Sequence, residues 1–342
     1  MSTSPHPLPQ PNKPPTPPSW WQRLRPLGYL LLLAFALWCI NLLRHDLAQM
    51  PDVRLGDYAL AMALCGSLSL LNYVLRIVRW HLFLNRLGHG FGWLHSSLYY
   101  VAGFAFTLSP GKVGELARVR YYQSHGVPAA TVTAAFFVER LLDLLAVLGM
   151  ALLVFTQTLE GPHYTTLLWF TAILLGVITL SLAWIPWTKL GGRHPVLNKV
   201  AQTLLQAREL LRPGLLASGL LLSLVAWGSE GFGLSVLLTP VSGHEVSALT
   251  AAGIYAIAVL AGALSFLPGG LGGTEAVMIA LLHQHGISLG EAVLVTLLCR
   301  LLTLWFAVAL GWLAIFALRC WPEHAPQSLP QTPPENASSL AP

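Results

Sequence analysis

The residues of this sequence that could do chemistry sit where water is scarce. Arg76 and Arg79 lie on one helical face in NYVLRIVRWHLFL, and Glu139, Arg140 and Asp143 interrupt FFVERLLDLLAVLG. Glu230 stands in LVAWGSEGFGLSVLL, and Arg300 in LLCRLLTLW. At membrane depth each such group costs about 2.5–3.5 kcal/mol even on the gentler insertion scale. Two more carboxylates follow breaks in apolar runs. Glu115 comes after Pro110, Gly111 and Gly114 in LSPGKVGELAR, and Glu275 comes after Pro268, Gly269, Gly270, Gly272 and Gly273 in FLPGGLGGTEA. A helix that restarts after a break presents unpaired N–H groups and about half a positive charge. Such an end holds anions such as phosphate, guanidiniums fork onto the same groups, and carboxylates balance cations or carry protons.

The chemistry these types suit is the holding of a charged headgroup in a polar interior. Covalent chemistry has no recognisable pattern: HExxH, GxSxG, a Cys–His arrangement and the ATP-binding GxxxxGK[ST] are all missing. We therefore expect no catalytic residue, no metal, no cofactor and no enzyme activity, with energy drawn from a gradient or from mass action. Each residue also has a plainer reading. Arg76 and Arg79 can snorkel to an interface, and Glu139, Arg140 and Asp143 can form a purely structural ion network. Glu115 and Glu275 can merely complement the first turn of their helices, and Arg300 can pair with one of the acids. His125 and His285, each before a glycine, read as loop residues. Glu230 has no partner within its own helix.

The elements that position these groups must be membrane helices. The chain has 342 residues, 55% hydrophobic and 10% charged, against about 25% charged in soluble domains, and its mean hydropathy is +0.63. Apolar segments fall at about 27–43, 58–84, 92–109, 127–157, 165–187, 214–238, 247–267 and 290–318, with a shorter one at 274–285. Aromatics such as Trp20, Trp80, Trp93, Trp184 and Trp321 gather at segment ends, as interface belts do. The first apolar segment is expected to remain as a helix rather than serve as a cleaved signal. Cys39, Cys65, Cys299 and Cys320 form no metal or redox spacing and read as small hydrophobes. Residues 1–22 and 321–342, rich in Pro, Ser and Gln, are expected to be disordered cytoplasmic tails flanking a membrane domain at 23–320.

Loop charge gives orientation. Lys13, Arg23 and Arg25 precede the first segment, Lys112, Arg118 and Arg120 follow the third, and Lys189, Arg193, Lys199, Arg208 and Arg212 follow the fifth. These loops are expected on the cytoplasmic side, while the loops with Glu160 and Glu245 are expected outside. The pattern fits if 92–109 enters from the cytoplasm and turns back at Pro110-Gly111, and 247–267 enters from outside and turns back at Pro268-Gly269. The expected fold is an all-α polytopic membrane protein with six full crossings and two re-entrant helical hairpins. Its charge of +5 belongs to this bias rather than to nucleic-acid binding.

The two breaks are copies. Glu115 and Glu275 are 160 residues apart, and so are His125-Gly126 and His285-Gly286, and Arg140 and Arg300. Repeat halves at about 58–157 and 214–318 are therefore expected, inverted in the expected topology. Broken helices of this kind put a ligand site near midplane.

Taken in order, RIVRW, PGKVGELAR, ERLLDLLA, WGSE and LPGGLGGTEA resemble the transmembrane region of the lysylphosphatidylglycerol synthases, a flippase-like integral membrane family. The resemblance covers about residues 25–318. It implies movement of a phospholipid, or of a polyprenyl or hopanoid-type envelope lipid, across a bacterial inner membrane, with membrane lipids as partners and envelope lipid-synthesis enzymes as possible ones. It carries headgroup-binding roles onto Arg76, Arg79, Lys112, Glu115, Arg118, Glu139, Arg140, Asp143, Glu230 and Glu275, and the internal repeat adds Arg300. Because the soluble aminoacyl-transferase domain has no counterpart among these residues, synthase activity is not implied. A membrane-embedded headgroup transferase, a small-solute secondary transporter and an organising subunit remain the other readings.

Overall fold

A long apolar run away from water must close every backbone N–H onto its own C=O, and only a helix does so within one segment. The computed structural model of the chain describes residues 55–158, 195–240 and 246–320, with the isolated helical positions 166, 169, 173, 176, 177 and 179. The segment expected at 27–43, most of that at 165–187, both tails, and Lys13, Arg23, Arg25, Glu160, Lys189, Arg193 and Glu245 lie outside the described residues. The described residues are helical, with no strand among them.

Helix α1 (Ala59–Arg86) is followed by α2 (Trp93–Ala102), which tightens into a 3-10 turn at Gly103–Phe106. After a break, a 3-10 stretch at Pro110–Ala117 leads into α3 (Arg118–Gln123). Then come α4 (Ala129–Thr158), α5 (Pro195–Leu210), α6 (Pro213–Leu238) and α7 (Ala248–Leu264). A second break, with a short turn at Pro268–Gly270, precedes α8 (Gly273–Gln284). Helix α9 (Leu289–Arg300) runs through a π-helical turn at Leu301–Trp305 into α10 (Phe306–Cys320). Helix α1, helix α6 and the continuous α9–α10 rod are long and apolar enough to cross a membrane. Helix α4 is also long, 30 residues, but carries Glu139, Arg140 and Asp143 at its middle.

The helix ends follow local chemistry. The Ser247 and Ser288 hydroxyls cap α7 and α9 by accepting from the N–H groups of Thr250 and Glu291 at 3.1 and 3.3 Å. Pro213 opens α6 at its first turn. Helices α1, α3 and α8 close on left-handed glycines, Gly88, Gly126 and Gly286.

Both breaks make helical hairpins. Helix α8 packs back along α7, and the stretch after Pro110 packs back on Gly103–Phe106. The arms are short. Gly103–Phe106 extends α2 to about 23 Å, while α7 reaches about 26 Å and α8 about 18 Å, against a hydrocarbon thickness of about 30 Å. The two breaks also touch: a Cβ on Gly269 would stand 2.7 Å from Leu108 Cδ2. That glycine has φ +62°, a left-handed backbone that other residues rarely adopt.

Apolar segments read from the sequence coincide with α1, α4, α6, α7, α8 and the α9–α10 rod to within three residues at each end. Two expectations need correction. Residues 195–210, counted as a charged loop, form α5, which packs against α4. Ala201, Ala207 and Leu210 face inward while Leu197 and Val200 stay exposed. The cations spread along this helix hid a narrow apolar stripe. Residues 110–126 are likewise no plain loop but a 3-10 stretch leading into α3. Arg118 is fully buried and Lys112 half-buried, which leaves Arg120 as the exposed cation of the three.

Candidate functional site

The site begins with Glu139, in the middle of α4 and 1% exposed. Its carboxylate meets four arginines. Oε1 lies 2.8 Å from Arg140, 3.2 Å from Arg79 and 3.4 Å from Arg76, and Oε2 lies 3.5 Å from Arg118. The Tyr100 hydroxyl also donates to Oε1. Asp143, one turn further along α4, takes Arg79 at 2.8 Å and Arg140 at 3.1 Å. Arg79 donates in addition to the Ser223 hydroxyl of α6. Arg76 and Arg79 are thus buried in an ion network and do not snorkel to an interface.

The first break feeds the same network. Glu115 accepts from Thr107 Oγ1 at 2.5 Å and from Arg118 Nη2 at 2.8 Å, and Arg140 approaches it to 3.9 Å. Arg118 lies over the rings of Trp80 and Tyr100 at 4.6 and 4.5 Å, where a planar guanidinium stacks better than an ammonium. Four guanidiniums here meet three carboxylates. One positive charge is left over, in a setting where charge is poorly screened.

The second break repeats the plan more simply. Arg300 donates through Nε to Glu275 Oε1 at 2.6 Å and through Nη2 to the Gly269 carbonyl at 2.8 Å. The other Glu275 oxygen accepts the N–H of Gly272 at 2.6 Å, capping α8. The positive end of α8 is therefore met by the chain's own carboxylate. Right after Arg300 the helix widens into the π turn, and the Tyr73 hydroxyl donates to the Thr303 carbonyl there at 2.5 Å. The repeat extends to the hairpin ends. His125 and His285 each place Nδ1 by the carbonyl four residues back, at 2.9 and 2.8 Å. Val127 and Ile287 each donate N–H to the carbonyl five residues back, at 3.1 and 3.2 Å. Both histidines serve helix ends, as the plainer reading has it.

Between the two breaks lies a cavity of about 290 Å³. Gly111 and Lys112 come to its wall from the first break, and Gly269 and Gly270 from the second. Its cations are Arg76, Lys112, Arg140 and Arg300, and its carboxylates are Asp143 and Glu230. Much of the remaining wall is apolar, and the rim includes Phe266 and Leu267, which are 74% and 40% exposed. Lys112 holds a left-handed backbone at φ 57° without being glycine. Its ammonium stands 5.5 Å from the Trp227 ring centroid. Glu230 does have a partner after all, on a neighbouring helix: the Tyr255 hydroxyl of α7 donates to its Oε2.

The candidate residues thus divide. Arg76, Lys112, Arg140, Asp143, Glu230 and Arg300 reach the cavity. Arg79, Glu115, Arg118 and Glu139 stand buried behind them, and Glu275 fastens Arg300. Pro110, Gly114, Pro268, Gly272 and Gly273 shape the breaks without lining the cavity. Sequence reasoning passed over Tyr73, Tyr100 and Tyr255, whose hydroxyls donate to the Thr303 carbonyl, Glu139 and Glu230 respectively. The lone Tyr255 in AAGIYAIAVLAG was a legible signal, since a phenol within a small-residue membrane helix needs a hydrogen-bond partner. Among the described residues no group of His, Cys, Asp and Glu is placed to hold a metal. Cys65 and Cys299 are buried free thiols.

Comparison with known proteins finds membrane proteins among the relatives. A membrane protein of Methanothermobacter thermautotrophicus, named UPF0104 membrane protein, is 31% identical over 100 residues, 29% of this chain and 29% of its own length. The Escherichia coli inner membrane protein YbhN is 27% identical over 203 residues, 58% of this chain and 61% of its own. The chain thus spans under two thirds of either relative. The model of the lysylphosphatidylglycerol synthase transmembrane region matches residues 20–311, including both breaks and all of the cavity. The chain belongs to that family of membrane proteins.

Proposed function

We propose that the protein is a lipid translocase of the cytoplasmic membrane, with both termini cytoplasmic, six crossings and two re-entrant hairpins related as inverted repeats. A charged headgroup enters the cavity between the breaks while its acyl chains stay in the bilayer. The carrying observation is the cavity itself, which gathers four cations from both repeats behind an apolar rim at Phe266 and Leu267. At about 290 Å³ it sits at the lower end of small-molecule pockets, enough for a headgroup but not for a whole lipid. An apolar rim favours a ligand with a greasy remainder over a fully hydrated solute. Replacing a buried ion network by packed apolar residues is often neutral or stabilising, so selection for stability alone is a poor account of this one.

In this reading Lys112, which has no ion-pair partner among the described residues, meets the phosphate first. Arg76, Arg140 and Arg300 line the same cavity, each already engaged with a carboxylate. Rocking of one repeat against the other exposes the cavity to each side in turn. No bond is made or broken, so the chain is proposed as a non-enzyme whose partners are membrane lipids.

The test is a headgroup-accessibility assay in proteoliposomes with a panel of labelled phospholipids and polyprenyl phosphates. Wild type should exchange one class between leaflets faster than protein-free vesicles, and Lys112→Gln should lose most of that gain. Exchange of no lipid above the protein-free rate sinks the proposal. A covalently altered headgroup would point instead to a membrane-embedded transferase.

A further inference from the structure

Of the six Arg, Lys, Asp and Glu side chains that line the cavity, all but two are tied into an ion pair. Arg76, Arg140, Asp143 and Arg300 all have partners within 4 Å. Among the described residues Lys112 and Glu230 have none, and both face the same cavity. Glu230 is 5% exposed, and the hydrogen bond it receives comes from the Tyr255 hydroxyl. Its helix is held tightly against α7, because a Cβ on the adjacent Gly231 would stand 2.8 Å from Ala252 Cα. The other titratable or charged groups that face it are Cys65, Tyr73 and Arg76 from α1, Lys112 from the first break, and Cys299 and Arg300 from α9. The cations are at a distance, without contact.

A carboxylate in that position gives up its hydration for one phenol hydrogen bond, so while the cavity is empty its ionised form rests on the field of Arg76, Lys112 and Arg300. An anion entering the cavity at Lys112 would share a poorly screened space with it, and two like charges there repel strongly. We propose that Glu230 is a proton-binding site coupled to anion binding at Lys112, so that a phosphodiester anion enters the cavity together with one proton taken from water. The proton adds to a Glu230 oxygen while the Tyr255 hydrogen bond stays in place, and nothing is oxidised or reduced. Linkage makes the effect mutual: anion binding draws a proton onto Glu230, and protonation of Glu230 tightens anion binding. The loaded cavity then carries one negative charge less through the hydrocarbon, and a pH difference across the membrane becomes a driving force. The coupling deepens the translocase reading, but its proton step is measurable without transport.

The test uses the full chain in nanodiscs, weakly buffered, with an indicator dye. Two probes are used whose single charge does not titrate near neutrality: short-chain phosphatidylglycerol, and dimethyl phosphate as the headgroup chemistry without lipid. Wild type should take up about one proton per probe bound, and its affinity should rise about tenfold from alkaline to mildly acidic pH, a typical coupling. Glu230→Gln should bind with no proton uptake and a flat pH profile, while Glu230→Asp restores both. Uptake with both probes assigns the site to the phosphodiester, and uptake with the lipid alone adds the acyl chains to what it reads. The proposal is overturned if Glu230→Gln takes up protons as wild type does, if wild-type affinity is independent of pH, or if neither probe binds at any pH. Gel-filtration profiles matching wild type show that the variants fold. Proton uptake on binding without any leaflet exchange would instead sink the translocase reading and leave the proton site standing.

Discussion

Arg300 holds Glu275 through its Nε at 2.6 Å, across 25 residues of chain. Arg140 approaches Glu115 to 3.9 Å over the same interval. Each repeat thus ties the acid of its break to an arginine on the following long helix. The first repeat surrounds this pair with Arg76, Arg79 and Arg118. The second relies on Arg300 alone, which also holds the Gly269 carbonyl. Losing one partner strands the other, and for well-buried pairs that costs about 3–5 kcal/mol. Glu275→Gln and Arg300→Gln should each cost about 3 kcal/mol by detergent unfolding, the low end because Glu275 is 18% exposed. The double substitution should recover part of the loss. Full additivity of the two costs would show that the pair does not act as a unit.

Lys112 separates stability from function. Its left-handed backbone costs a residue with a Cβ about 1–2 kcal/mol relative to glycine, and no ion pair is lost when it is replaced. Lys112→Gly should therefore melt at the same temperature as wild type or higher, while lipid exchange falls as far as in Lys112→Met. A glycine variant that keeps wild-type exchange would remove Lys112 from the site.

Glu139 should be the least replaceable acid. Four arginines converge on it, and neutralising it leaves them with Glu115 and Asp143. Glu139→Gln is expected to lose about 3–5 kcal/mol and to yield little monodisperse protein. Arg76→Gln, which leaves Glu139 with three guanidiniums, should purify well. Equal yields from the two would contradict a hub at Glu139.

Much of this arrangement is legible in the sequence because it rests on local rules. Pro110 and Pro268 end helices, the 160-residue offset from Glu115 to Glu275 reveals the copy, and apolar run lengths give α1, α4, α6 and α9–α10. Helix α5 escaped because a narrow stripe of Ala201, Ala207 and Leu210 scarcely raises hydropathy among Lys199, Arg208 and Glu209. Arg118 was read as loop charge because charge counting cannot see that the break turns it under Trp80 and Tyr100. Glu230 reads as partnerless along its own helix, and its phenol comes from α7, 25 residues on. Which acids and bases pair depends on long-range packing, which no spacing in the sequence encodes.

The contact between the two breaks can be tested directly. Gly269 combines φ +62° with a place for a Cβ only 2.7 Å from Leu108 Cδ2, so Gly269→Ala carries two separable costs. The backbone part, about 1 kcal/mol, stays whatever surrounds it. The steric part, about 1–2 kcal/mol from overpacking, disappears when the opposing side chain is shortened. Gly269→Ala should thus cost about 2–3 kcal/mol in the wild-type background and about 1 kcal/mol in a Leu108→Ala background. If relative motion of the two breaks opens the cavity, Gly269→Ala should also slow lipid exchange, and Leu108→Ala should restore its rate more fully than its melting temperature. Equal penalties in both backgrounds would show that the two breaks do not meet at this point.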